Sequence, residues 1–307
     1  MSSLPPSGRQ HVIERGPQRA VVTEVGATLR SYTMDGIELL DTFAEEDMSD
    51  YSRGQVLAPW PNRIDHGRYS FAGRDRQLAL TEPDRDNAIH GLVRWLPFIV
   101  GPAQPESVRL TCALYPQKGY EFSLLIDITY TLTGLGLEVG LGAHNRGTEP
   151  APFGVGYHPY LAAGSGTVDD VQVRIPAATV LTTTNDRLVP TGEAPVQGTN
   201  LDFTSMRRLG DTRLDHCFTD LSRDDDGMVR VEFAPPSRPV LEMFMDEQHD
   251  YIQVFTGDAI GDEDRRRRSL AIEPMTCAPD AFNNGRGLRV LEPGEAFDSR
   301  WGISTIT

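Results

Sequence analysis

The chain reads as an all-β protein built from large antiparallel sheets stacked as a sandwich, with very little helix. Three observations predict this. Apolar residues recur with period two over many short stretches, the signature of strands buried on one face. No window of about 12 residues carries a clear 3.6-residue apolar period. The 29 glycines and 22 prolines are spread along the chain instead of gathered in a linker, as expected of many strands joined by turns.

The longest alternation runs from 122 to 132. There Phe122, Leu124, Ile126, Ile128, Tyr130 and Leu132 share one face, while Glu121, Ser123, Asp127, Thr129 and Thr131 take the other. Gly134 and Gly136 punctuate a turn into a partner strand carrying Leu137, Val139 and Leu141, a hairpin. Val171, Val173 and Ile175 repeat the pattern, then Val229, Val231 and Phe233, then Leu241, Met243 and Met245. Residues 224–227 and 261–264 read as exposed acidic turns, and no internal repeat or low-complexity segment stands out.

At 307 residues with 39% hydrophobic content, the chain can bury a substantial core, and residues 1–307 are expected to form one domain. A net charge of −15 argues against nucleic acid or an anionic membrane as the main partner. Cys112, Cys217 and Cys277 are odd in number, widely spaced and without a CxxC arrangement. They predict reduced thiols in a cytoplasmic protein and no disulfide framework. Residues 1–10 lack the apolar stretch of a secretory leader, and no run of about 20 apolar residues could span a bilayer. The expected assembly is a monomer or weak homodimer.

Five stretches place ionisable groups beside tight-turn residues. Glu273 follows the apolar strand Ser269-Leu270-Ala271-Ile272 and precedes Pro274, which is expected to end the ladder. Burial there would raise its pKa and suit it to act as a base; a surface glutamate at a strand end is the other reading. His158 is flanked by Tyr157 and Tyr160 behind Gly154 and Gly156, with Pro159 holding it extended. It fits a tuned proton donor or a core histidine bonded to a backbone carbonyl.

His90, before Gly91, is a candidate ligand or a plain loop histidine. Arg63, beside Asn62, could grip hydroxyls with its fork of donors or pair with a nearby carboxylate. Asp215 could accept two sugar hydroxyls or serve as a turn aspartate, and its neighbour His216 reads as structural. The run Arg265 to Arg268 reads as a solvated loop offsetting acidic neighbours.

No HxH, HxxxH or HExxH spacing suggests a metal site, and no GxSxG elbow suggests a serine hydrolase. Gly134-Leu135-Gly136 lies between strands and cannot cradle a phosphate at a helix start, so no cofactor is expected.

Taken together, these stretches resemble the aldose 1-epimerase (galactose mutarotase) family. The matching segments are Pro61-Asn62-Arg63-Ile64 with the downstream 67–73, Ile89-His90-Gly91, Gly156-Tyr157-His158-Pro159-Tyr160-Leu161, and Leu214-Asp215-His216-Cys217-Phe218. Gln253-Val254-Phe255-Thr256-Gly257-Asp258, Ile272-Glu273-Pro274-Met275-Thr276 and Pro279-Asp280-Ala281-Phe282-Asn283 complete the set. They keep family order from about residue 54 to 284.

The resemblance implies a single-domain β-supersandwich with an open cleft on a broad sheet. It implies interconversion of the α and β anomers of a free hexose such as glucose or galactose. Glu273 would be the general base, His158 the general acid, and His90 would hold and polarise the reacting end. Asn62, Arg63, Asp215 and Gln253 would bind hydroxyls.

This chemistry needs a protonated His158 beside an ionised Glu273 near neutral pH. Trp60-Pro61 and a shortened stretch between Tyr251 and Glu273 depart from the family pattern and are expected to affect sugar selectivity. An anionic hexose read by Arg63, Arg94 or the arginine run, a non-catalytic sugar-binding protein, and a two-carboxylate glycosidase are the alternatives.

Overall fold

The computed structural model describes residues 4–306 apart from Ala103, Asn185 and Ser237. Met1–Ser3, part of the N-terminal stretch read above, lie outside the described residues. Two large antiparallel sheets dominate, and Ala281–Asn284 is the only α-helix among the described residues.

The period-two stretches become the larger sheet. Its nine strands run in the order Ile99–Val100, Ser107–Leu114, Leu124–Leu132, Gly136–Asn145, Ala296–Ile306, Val240–Met245, Val229–Ala234, Gln172–Arg174 and Arg207–Arg208. The predicted hairpin is present, with Ile128 opposite Leu141 and Tyr130 opposite Val139. Leu124, Ile126, Ile128, Tyr130 and Leu132 are buried in strict alternation. Each fully buried aliphatic side chain of this kind contributes roughly 1.5–3 kcal/mol. The strand starts at Leu124, two residues later than expected, where it pairs with Leu114, the last residue of the neighbouring strand.

The second sheet carries the candidate site. Its order is Pro190–Pro195, Ala177–Thr183, Asp215–Leu221, Tyr251–Phe255, Ser269–Met275, Gly156–Tyr157 and Val56–Leu57, with Tyr160–Ala162 also pairing on Ser269–Met275. Alternation decides what each strand shows to each side. Phe218, Ile252, Val254, Leu270 and Ile272 join the main core with Trp301 and Ile303 of the larger sheet. Asp215, Gln253 and Glu273 consequently project from the opposite face. Register brings them together: Gln253 lies opposite both Cys217 and Glu273.

Pro274 does not end the ladder, contrary to expectation. The strand runs through it to Met275 and is buried throughout. The adjoining strand is split there into Gly156–Tyr157 and Tyr160–Ala162. On that side the Ile272 N–H donates to the Pro159 carbonyl (3.3 Å) and the Thr276 N–H to the Val155 carbonyl (2.9 Å). Pro274 occupies the position between them, so its missing N–H falls where the neighbour breaks and no ladder bond is lost.

The three cysteines are buried and free. No helix among the described residues is long and apolar enough to cross a membrane. The four arginines of the 265–268 run are occupied in holding their loop. Arg265 pairs with Asp41, Arg266 with Glu263, Arg267 with Asp169 and Asp258, and Arg268 reaches the Ser165 carbonyl.

Candidate active site

The outer face of the second sheet is covered by the segment from residue 51 to 94, and a cleft of ≈ 280 Å³ lies between them. All seven residues singled out in the sequence line it: Asn62, Arg63, His90, His158, Asp215, Gln253 and Glu273.

Local backbone sets the covering side. Arg63–Asp65 pairs with Asn87–Ile89, with Arg63 opposite Ile89, which places Asn62 and His90 together just beyond the strand ends. Both adopt left-handed backbone angles, φ 55° and 65°. Such strain is tolerated when surroundings fix it. Here the His90 N–H donates to the Asn62 carbonyl (2.9 Å), and the Asn62 N–H donates to His90 Nδ1 (3.2 Å). Gly91 is also left-handed, and a Cβ there would meet the Ala58 carbonyl oxygen at 2.1 Å. Only glycine lets the loop pass this close.

The bond to Nδ1 assigns the His90 tautomer. A backbone N–H can only donate, so Nδ1 accepts and the ring proton of the neutral imidazole sits on Nε2. Burial lowers the His90 pKa well below its ordinary value, helped by His158, Arg94 and Arg63. His90 is therefore a neutral donor.

His158 extends the pairing of Gly156–Tyr157 with Val56–Leu57: its N–H donates to the Gln55 carbonyl, and its carbonyl accepts from Gly54. Its ring stacks on Tyr160 with centroids 4.9 Å apart and meets His90 edge-on at 5.3 Å. Gly156 permits the close backbone packing, since a Cβ there would lie 2.7 Å from Pro61 Cβ.

His158 Nε2 lies 3.4 Å from Glu273 Oε1, with both side chains almost fully buried. The other carboxylate oxygen, Oε2, has no hydrogen-bond partner, and neither does His158 Nδ1. Burial pushes Glu273 well above the usual carboxylate range; the Asp215 charge adds to this and Arg63 opposes it. Burial likewise drives His158 down to about 3. Both shifts therefore oppose the expected pairing of charged His158 with ionised Glu273. With one proton between them, desolvation favours neutral imidazole and protonated carboxyl.

Arg63 pairs with a carboxylate, one of the two roles read for it. Its Nε and Nη2 donate to the two oxygens of Glu82 (2.8 and 3.0 Å), a bidentate pair, and Nη2 stands 4.0 Å from Asp215 Oδ2. Burial disfavours charge on Glu82, yet the bonds and charge of Arg63 outweigh it and hold that carboxyl below its usual range. Asp215 Oδ1 accepts from Gln253 Nε2 at 2.6 Å, which aims both groups along the cleft. Asn62 Oδ1 accepts from the Arg63 N–H (2.9 Å), leaving its amide N–H groups to donate.

Glu82 was not singled out in the sequence. It sits at the edge of an acidic turn, 83–86, that reads as surface, and the only pointer to it was the need of Arg63 for a carboxylate. Trp60 is buried against Phe282 (5.5 Å) in an aromatic cluster and does not line the cleft. The fold also brings ligating atoms of His90, His158 and Glu273 within 4.8 Å of one another. Three such donors could hold a divalent ion, an arrangement invisible in the sequence spacing.

The family model for aldose 1-epimerase matches residues 9–304. The chain belongs to the aldose 1-epimerase family. It is 33% identical to an uncharacterised protein of Escherichia coli K12, YihR, over 94% of this chain and 91% of that one. Human galactose mutarotase is 30% identical over 80% of this chain and 76% of its own length. A GalM/aldose epimerase homologue from C. elegans superposes with a TM-score of 0.84 at 21% identity, covering 97% of this chain and 99% of that one. Galactose 1-epimerase from Lactobacillus acidophilus gives 0.80 at 20% identity, covering 97% and 94%. These last two show that the galactose mutarotase-like fold is shared.

Proposed function

We propose that this aldose 1-epimerase family member interconverts the α and β anomers of a free hexose by ring opening and closure, with Glu273 and His158 moving the protons. The contact between His158 Nε2 and Glu273 Oε1, buried at the floor of a polar cleft, carries this reading. Anomer exchange takes the proton from the C1 hydroxyl and delivers one to the ring oxygen. On this reading the Glu273 carboxylate, whose Oε2 has no hydrogen-bond partner, accepts from the C1 hydroxyl, and His158 donates to the ring oxygen.

The resting proton placement supports the same chemistry. Neutral imidazole with protonated carboxyl, and imidazolium with carboxylate, hold the same single proton. A bound sugar offers a hydroxyl donor to the carboxylate and an acceptor to the imidazolium, so binding favours the reactive form. Once the ring is open, rotation about C1–C2 presents the other carbonyl face, and reversing both transfers closes the other anomer. His90 donates from Nε2 to the reacting end, while Arg63, Asp215, Gln253 and Asn62 hold hydroxyls. Each positioned acid or base contributes about 10²–10⁴-fold.

The test is polarimetry of freshly dissolved α-D-glucose and α-D-galactose with and without the protein. Accelerated approach to the equilibrium rotation supports the reading. A spontaneous rate with these sugars and with charged hexoses, in protein that still binds them, would establish a binding protein instead.

A further inference from the structure

The charges lining the cleft do not balance. Glu82 answers Arg63 in a bidentate pair and also receives Arg85 at 3.1 Å; Asp215 lies 4.0 Å from Arg63. Arg94 is left over. Its Nη1 donates to the Ser52 hydroxyl (3.0 Å), its Nη2 to the Ile89 carbonyl (3.3 Å), and its Nε is buried with no partner. No carboxylate pairs with it among the described residues. Burial alone lowers its pKa, to about 10, so it remains a cation at neutral pH. A desolvated guanidinium without a counter-charge is costly unless something supplies one. This one opens onto a substrate cleft in a protein of net charge −15.

We propose that the preferred substrate is a hexose bearing a single negative charge, a carboxylate or sulfonate, on its exocyclic C6, received by Arg94. The proposal rests on the anomer-exchange reading above. One unanswered cation matches a monoanion better than a phosphate ester, which carries about −1.5 to −2 at neutral pH. Position selects C6. Arg94 is bonded to the carbonyl of Ile89, immediately before His90, and to the hydroxyl of Ser52, in the turn whose Gln55 carbonyl accepts the His158 N–H. It therefore stands on the imidazole side of the reacting centre. With the ring oxygen at His158 and the C1 hydroxyl at Glu273, the substituent beyond the ring oxygen is the C5–C6 arm. The guanidinium fork suits a planar carboxylate or two sulfonate oxygens.

The experiment measures kcat/KM for anomer exchange by proton NMR with D-glucose, D-galactose, D-glucuronic acid, 6-deoxy-6-sulfo-D-glucose and D-glucose 6-phosphate. The expected result is that at least one monoanionic sugar exceeds glucose by roughly 10–100-fold, the worth of a charge-assisted hydrogen bond to a charged group. The carboxylate and sulfonate arms then identify which anion it is. In Arg94→Gln the ratio of charged to neutral kcat/KM collapses toward one, and Arg94→Lys restores part of it. Should neither variant fold, wild-type enzyme decides: KM for the charged sugar rises with ionic strength while that for glucose stays flat. Neutral sugars turned over as well as both monoanions, or a preference that survives in folded Arg94→Gln, would overturn the proposal and leave anomer exchange standing. No exchange with any sugar would remove both.

Discussion

With His158 Nε2 3.4 Å from Glu273 Oε1 and both groups buried, the pair acts through one shared proton. Its pH dependence follows from the directions of the two shifts. Acid adds a second proton as pH falls through the lowered value of His158, about 3, and the base is lost. Alkali removes the only proton as pH rises through the raised value of Glu273, and the acid is lost. The rate should therefore be flat from about pH 5 to neutrality, falling only in strong acid, toward about pH 3, and again on the alkaline side. A rate that climbs through the ordinary glutamate range to a plateau would mean that Glu273 titrates as a solvated carboxylate.

At this scale the sequence was informative about which residues meet and less so about their state. Glu273 and His158 were legible because each sits beside proline and apolar or aromatic neighbours. Their resting protonation was not, since it depends on burial by strands far away in the chain. Arg63 left two readings open, and the partner that settled it, Glu82, lies in a turn with no local mark of burial.

Among the elements, alternation carried most of the site. Period two in Ser269–Met275 sends Leu270 and Ile272 into the core and Glu273 out, and the same parity puts Gln253 and Asp215 on its face. Pro274 misled for a physical reason: proline is excluded from a ladder only where a partner carbonyl waits for its N–H, and here the neighbouring strand is split. The His90 loop depends on Gly91, with φ 69° and 2.1 Å of clearance for a Cβ against the Ala58 carbonyl. Gly91→Ala should cost about 2 kcal/mol or more in urea unfolding. It should also lower kcat by displacing His90 from Asn62. Unchanged unfolding and turnover would show that the loop relaxes without cost.

Across the whole molecule, the two sheets share one core, with Trp301 of the larger sheet 5.2 Å from Tyr157, the residue before His158. Five strands of the larger sheet, Leu124–Leu132, Gly136–Asn145, Gln172–Arg174, Val229–Ala234 and Val240–Met245, were readable from clean alternation, whereas Ser107–Leu114 and Ala296–Ile306 were not read. The shorter site-sheet strands, such as Val56–Leu57 and Gly156–Tyr157, are too brief to show a period; a family motif marked the second and nothing marked the first. The second sheet presents Asp215, Gln253 and Glu273 on one face and the covering segment brings Asn62, Arg63 and His90 against it, an arrangement whose purpose on this account is proton transfer at C1 and the ring oxygen. The most direct test is anomer exchange at equilibrium, followed by magnetisation-transfer NMR, in wild type and Glu273→Gln with sugar binding measured alongside. The account predicts roughly 10²–10⁴-fold or greater loss of exchange with binding retained. Exchange at the wild-type rate in Glu273→Gln would contradict it.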